Sequence, residues 1–155
     1  MAIEPNYIEA HIGLGVLYEM KKDLSLSIAS FEKALKVDPL NKNVYYVLGQ
    51  VYYKAKKLNE AVHQYELLLK LDPKDVDAYM ALAYIYSSES KNEEALKCYF
   101  KALEIAPLDA RIHFYLGALY DKTKKRELAM KSLREAIRLD PKFADAYNYL
   151  GYMFA

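Results

Sequence analysis

Among the 155 residues of this chain, three histidines, one cysteine and 16 tyrosines are the first side chains to ask about chemistry. A metal centre or a covalent mechanism would have to draw on His11, His63, His113 and Cys98. Zinc needs several ligands converging on one point. These residues share no common face, and no ligand pair stands at metal spacing. Cys98 has no recognisable base beside it, as an activated nucleophile requires. A single cysteine also excludes an internal disulfide, and no glycine-rich phosphate loop is present. No catalytic residue, metal site or cofactor is expected, and the chain does not read as an enzyme. Tyrosine offers the chemistry of recognition: a large rigid ring with a polar handle. The run VYYVLGQVYY, residues 44–53, packs four tyrosines into ten residues with Gln50 as the one clearly polar side chain. Which of these rings build a core, and which are free to meet a partner, depends on the elements that carry them.

Composition bounds the answer. Hydrophobic residues make up 54% of the chain, so it can bury a substantial core. The 22 basic and 21 acidic residues leave a net charge of +1, which gives no field for nucleic acid. The opening MAIEPNYIEA has acids where a signal peptide needs an apolar run. No apolar stretch is long enough to span a bilayer. A cytoplasmic location is the expectation, with neither nucleic acid nor membrane as partner.

The five prolines, Pro5, Pro39, Pro73, Pro107 and Pro141, recur every 34 residues. Counting repeats from the third residue after each proline gives 8–41, 42–75, 76–109, 110–143 and a partial 144–155. Place seven is then leucine throughout: Leu14, Leu48, Leu82, Leu116, Leu150. Place eight is Gly15, Gly49, Ala83, Gly117, Gly151, and place eleven is Tyr18, Tyr52, Tyr86, Tyr120, Phe154. Small residues follow at Ser27, Ala61, Ala95 and Ala129, then large ones at Phe31, Tyr65, Tyr99 and Leu133.

The spacing of places four, seven, eight and eleven predicts the apolar stripe of a first helix. Asn41, Asp75 and Asp109 stand where a side-chain oxygen caps one. A polar turn and a second helix follow, which ends where proline removes a donor. Glycine is costly inside a helix, so its recurrence at place eight predicts a close crossing of the paired helices.

The period and the pattern L-G/A…Y…A…F/Y…A…P, over residues 8–155, resemble the tetratricopeptide-repeat family. The resemblance implies an all-α, right-handed solenoid of stacked antiparallel helix pairs, the first helices lining a concave groove, and a role in holding other proteins. Many co-chaperone members grip a terminal carboxylate with lysine, asparagine and arginine at groove places. Here those places hold Ile12 with Val16, Tyr46 with Gln50, and Met80 with Tyr84, so that clamp is absent.

Nine tyrosines fall on template places and read as core. Seven do not: Tyr7, Tyr46, Tyr53, Tyr84, Tyr115, Tyr149 and Tyr152. At about 100° per residue the stripe spans roughly 340° to 80°, and places two, five, nine and twelve lie at roughly 120° to 200°, on the far side. The expected groove therefore comprises Ile12, Val16, Tyr46, Gln50, Tyr53, Met80, Tyr84, Arg111, Phe114, Asn148 and Tyr152. Exposed apolar surface of this kind marks an interaction site. The expected partner is a protein or peptide with apolar or aromatic anchors. Tyr115 and Tyr149 are also placed to pack between repeats. The competing reading is a structural or self-assembling spacer with no groove ligand. Since IEP resembles the tail of a preceding repeat and the chain stops after one helix of the fifth, it reads as a piece of a longer array. In α-solenoids uncovered ends associate. In the last helix, Tyr147, Leu150, Gly151 and Phe154 are expected to pack backwards, leaving Tyr149, Tyr152 and Met153 bare; Tyr7, Ile8 and Ile12 are expected to be bare at the front.

Overall fold

The computed structural model describes residues 6–154, and the described residues form nine α-helices and no strand. They are α1 (Asn6–Met20), α2 (Leu24–Val37), α3 (Lys42–Lys54), α4 (Leu58–Leu71), α5 (Val76–Ser88), α6 (Asn92–Ile105), α7 (Ala110–Lys122), α8 (Arg126–Leu139) and α9 (Ala144–Phe154). The sequence IEP lies outside the described residues. Two compact units divide the chain, residues 1–78 and 79–155. In the first, α1 packs on α2 and α3 on α4, with α2 against α3. In the second, α7 packs on α8, with α6 against α7 and α8 against α9.

Local chemistry sets the helix ends. Asn41, Asp75 and Asp109 each accept a backbone N–H at the start of a first helix, from Val44 (3.2 Å), Ala78 (2.8 Å) and Arg111 (2.9 Å). Every first helix with a second one after it closes the same way. The Lys22 amide donates to the Glu19 carbonyl and the Asp23 amide to the Tyr18 carbonyl, both at 2.9 Å. The same pair of bonds recurs at Lys56 and Lys57, Ser90 and Lys91, and Lys124 and Lys125. This six-to-one and five-to-two pattern needs a left-handed residue. Lys22, Lys56, Ser90 and Lys124 take it, with φ between 60° and 62°.

The residue after that turn begins the second helix. Asp23 caps α2 through Leu26 N–H at 3.2 Å, whereas Lys57, Lys91 and Lys125 in the same place cap nothing. Lys57 and Lys91 lie over the rings of Tyr52 and Tyr86. Lys125 has the backbone of Asp23, φ −91° and ψ 62° against −87° and 77°. Lys125→Asp should therefore stabilise unit two by about 1 kcal/mol, supplying a cap and removing a cation from the positive end of α8. Urea denaturation measures it; an unchanged midpoint refutes it.

The second helices bury what the pattern placed inside: Ser27, Ala61, Ala95 and Ala129, and Phe31, Tyr65, Tyr99 and Leu133 are all 2% exposed or less. The glycines meet them. A Cβ on Gly15 would lie 2.7 Å from the Phe31 ring, on Gly49 2.7 Å from Tyr65, and on Gly117 2.8 Å from Leu133.

The stripe on the first helices is wider than expected. Places three and ten are buried as well: Val44, Ala78, Ile112 and Ala146, and Val51, Ile85, Leu119 and Met153. The reason is seen within each unit: α3 lies against two second helices, α4 and α2, and α7 against α8 and α6. At place eight, Gly15, Gly49 and Gly117 face their own partner, whereas Met153, at place ten of α9, packs on Ala129 and Leu133 of the preceding α8. This corrects the reading of α9. Met153 is buried and Tyr149 half-buried, while Tyr147, Gly151 and Phe154 are exposed. At the front Tyr7 is exposed, but Ile8 and Ile12 are half-buried.

Candidate functional site

In unit two the far side of the first helices is an aromatic surface with a built foundation. Tyr99 of α6, 2% exposed, is the base. Tyr115 of α7 stacks parallel on it, with centroids 6.3 Å apart and planes 4° apart. Tyr84 of α5 meets Tyr115 edge-on at 6.4 Å, and Phe114 meets it edge-on at 5.3 Å. Phe114 in turn touches Phe143 at 5.1 Å and Tyr149 of α9 at 6.0 Å. Edge-on and offset contacts suit ring quadrupoles and hold the rings in place. The outer ring of this group, Tyr84, stays open at 50% exposed, and on α9 Tyr152 is 79% exposed.

Polar groups border these rings. The Tyr149 hydroxyl donates to Asp121 Oδ2 at 3.0 Å. Burial first, and that hydrogen bond second, push the Tyr149 phenol up to about 12 from its ordinary 10.0. A raised phenol pKa means that the protonated ring stabilises the fold, fully below pH 10 and progressively less as pH rises through 12. The seating of α9 should therefore weaken between those values; Tyr149→Phe should flatten that part of a stability-against-pH curve. A slope unchanged in Tyr149→Phe refutes the assignment. The Arg111 guanidinium lies in a fork against Asp109, with Nε 3.1 Å from Oδ1 and Nη2 2.7 Å from Oδ2, and holds that carboxyl below its usual range. Asn148 is exposed beside Tyr149.

Unit one carries a sparser version on α1 and α3. Val16 and Gln50 are exposed, while Ile12, Tyr46 and Tyr53 are half-buried. Tyr46 leans edge-on against the buried Tyr65 at 5.7 Å. Lys54 pairs with Glu19 at 2.5 Å across the two first helices.

Not all the expected residues are available. Met80, at 9% exposure, is part of the core. Phe114 is half-buried and packs on the Ala129, Leu133 and Met153 cluster, so it supports the surface as much as it forms it. Sequence reasoning missed Phe143. It occupies the place where Asn41, Asp75 and Asp109 cap the preceding first helices, and a large apolar residue at a capping place was the available signal.

His11, His113 and Cys98 are accounted for locally, and His63 is exposed on α4. His11 meets Tyr7 edge-on at 5.3 Å, and His113 Nε2 lies 3.2 Å from the Pro107 carbonyl. Burial pushes the Cys98 thiol up to about 11, which keeps it protonated at neutral pH. Among the described residues no three His, Cys, Asp or Glu side chains gather as a metal site. No helix among them is long and apolar enough to cross a membrane. Several turn cations are engaged: Lys91 with Glu89 at 3.0 Å, Lys122 with the Ser87 carbonyl, and Arg126 with the Met153 carbonyl.

Family models described as TPR repeat match residues 49–89 and 83–124, and models described as tetratricopeptide repeat match 8–39, 30–63 and 110–143. No curated protein sequence matches. Among solved structures, one described as MamA protein superposes with a TM-score of 0.79 at 23% identity, over 94% of this chain and 80% of that one. MamA 41-end from Desulfovibrio magneticus RS-1 gives 0.78 at 23%, over 90% and 79%. YrrB, described as a TPR protein with an unusual peptide-binding site, gives 0.77 at 25%, over 94% and 75%.

Proposed function

Because this chain belongs to the tetratricopeptide-repeat family, a family of protein-interaction scaffolds, we propose that it holds a protein or peptide on the aromatic far side of its first helices. In unit two Tyr84, Tyr115, Asn148 and Tyr152 form a contact surface; in unit one, taken by itself, Val16, Gln50 and the rims of Ile12, Tyr46 and Tyr53 form another. The observation that carries the reading is that Tyr84 is exposed while Tyr115, which it meets edge-on, rests on a buried Tyr99. Rings held in place lose little freedom on binding, so their area converts efficiently into affinity. The partner supplies apolar or aromatic anchors, as interface hot spots do. The peptide-binding description of YrrB is consistent with this. The chain acts by binding rather than catalysis.

Phe114 is unsuited to the test because it also packs on the core. Tyr84→Ser with Tyr152→Ser removes two exposed rings, and surface changes of this kind alter stability by only about 0.5 kcal/mol. Peptides selected from a displayed random library on the wild-type chain should be rich in apolar and aromatic residues. They should bind the double variant at least about tenfold more weakly, a loss of roughly 1.4 kcal/mol, by fluorescence anisotropy. Equal binding, with Tm unchanged, defeats the reading.

A further inference from the structure

Between α7 and α8 lies a recess of about 260 Å³, lined by His113 and Tyr120 of α7 and by Leu128, Lys131, Ser132 and Glu135 of α8. Both neighbours of this hairpin are in place, α6 against α7 and α9 against α8. Neither α1 nor α9 contributes to the lining, and none of the rings of the aromatic surface does. The second repeat shows what is missing here. Tyr45 stands at the place of His113, and its hydroxyl donates to the Pro39 carbonyl at 3.1 Å. His113 makes the matching contact with the Pro107 carbonyl, Nε2 at 3.2 Å, from a shorter side chain. At the place of Ser132 the second repeat has the longer Gln64. Two shortened side chains leave the space.

The polar groups around that space are left over by the fold. In unit one the Tyr52 hydroxyl donates to Glu32 Oε1 at 2.6 Å. Tyr120 holds the same place in its repeat, but where Glu32 precedes Tyr52 by twenty residues, Phe100 precedes Tyr120. The acceptor is gone. Ser30 donates to the Leu26 carbonyl at 2.8 Å, whereas Ser132, at the same place after Leu128, makes no such bond. Among the described residues neither the Tyr120 nor the Ser132 hydroxyl has a hydrogen-bond partner, and Lys131 has no ion pair. Tyr120 and Ser132 are half-buried, and a polar group drawn out of water without a partner is costly. Glu135 is the one acid on the wall, and Arg138 holds its two oxygens at 2.8 and 2.6 Å. The recess therefore offers two free hydroxyls and an ammonium, with Leu128 and the Tyr120 ring as an apolar floor.

We propose that this recess binds a small organic monoanion, a carboxylate on a short apolar body, independently of the peptide surface. The carboxylate accepts from Lys131, Ser132 and Tyr120, and the body rests on Leu128 and the Tyr120 ring. Hydrogen bonds to an ionised group are the strong, orienting kind. A single charge suits the site better than the double charge of a phosphate, because one ammonium faces it and Glu135 repels a second negative charge. The space falls just below the roughly 300–1,000 Å³ of sites for drug-sized molecules. The ligand is correspondingly small, and its Kd is about millimolar.

Benzoate is the probe, titrated into the full chain while amide chemical shifts are followed by NMR. Saturable shifts should appear within residues 113–135, at a Kd of about 1 mM. Benzyl alcohol, the same body without the charge, should bind at least about tenfold more weakly. Lys131→Met, at an exposed position, should keep the fold and weaken benzoate about tenfold. Tyr120→Phe should weaken it about threefold by removing one donor. Glu135→Gln should act in the opposite direction, tightening binding about threefold as the opposing carboxylate disappears. His113→Tyr installs the residue that Tyr45, Tyr79 and Tyr147 supply at this place; it should fill the recess and abolish binding with Tm unchanged. A wild-type chain that shows no saturation below about 10 mM benzoate overturns the proposal. So does equal binding of benzyl alcohol, a folded Lys131→Met or His113→Tyr chain that binds like wild type, or weaker binding by Glu135→Gln.

Discussion

Truncating Tyr99 to alanine is expected to cost unit two about 3–5 kcal/mol, as removal of a fully buried aromatic ring does. The ring is 2% exposed and carries Tyr115 flat upon it. Its loss opens a cavity beneath the proposed contact surface, and Tyr115 then falls away from its edge contacts with Tyr84 and Phe114. Stability and peptide binding should therefore fall together. Tyr99→Phe keeps the ring and should keep most of both, since no hydrogen bond depends on the hydroxyl's being there for the stack. Urea denaturation followed by circular dichroism measures the first effect and anisotropy the second. A Tyr99→Ala loss below about 1.5 kcal/mol, the scale of a tolerated hydrophobic swap, would show that the ring is not the foundation described.

Gly49→Leu should be comparably severe in unit one, about 3 kcal/mol or more, because overpacking a filled crossing forces rings and backbone apart. Even the first carbon of a side chain would lie 2.7 Å from Tyr65 Cζ and 3.0 Å from both Cε atoms. Tyr65 cannot swing clear into water: it is 2% exposed and Tyr46 leans on it. Alanine is a gentler probe. Ala83 stands at the matching place of the next repeat, sixteen residues before Tyr99 as Gly49 is before Tyr65, and both are buried, so the repeat accommodates a methyl group at this place. Gly49→Ala should cost no more than about 2 kcal/mol, part of the strain being returned by helix propensity. The same leucine at Gly151, where nothing is close, should be neutral or stabilising. A Gly49→Leu chain that melts like wild type would mean that the paired helices can move apart freely.

Most of the fold was legible because the repeat states each requirement several times. The proline spacing set the period, Asn41, Asp75 and Asp109 marked helix starts, and glycines opposite Phe31, Tyr65 and Leu133 marked the crossings. What could not be read was the second neighbour of each first helix. Periodicity shows that a helix has an apolar side, but a helix touched from two directions has two. Met80 and Phe114 lie near the border between those sides and the open one, so angle alone misjudged their exposure. The stacking of Tyr115 on Tyr99 was equally hidden, since it joins α7 to α6 at a distance no spacing rule covers. In α9 the error was one of direction: Tyr147, Gly151 and Phe154 were assigned backwards, when the backward side belongs to Ala146, Leu150 and Met153.

The left-handed turns at Lys22, Lys56, Ser90 and Lys124 also bear on how the molecule can move. Each is locked by two end-of-helix hydrogen bonds, and none of the four has a glycine's freedom: three lysines and a serine hold a conformation costing about 1–2 kcal/mol. Such a residue has a single narrow well, so the hairpin angle is fixed and does not act as a hinge. A response to a bound partner must then come from one helix pair sliding on the next, as at α2 with α3 or α8 with α9, a shear rather than an opening. Amide exchange should record the difference. The N–H groups of Asp23, Lys57, Lys91 and Lys125, although in turns, should exchange as slowly as the helices they close, and binding should alter protection along the contacts between pairs.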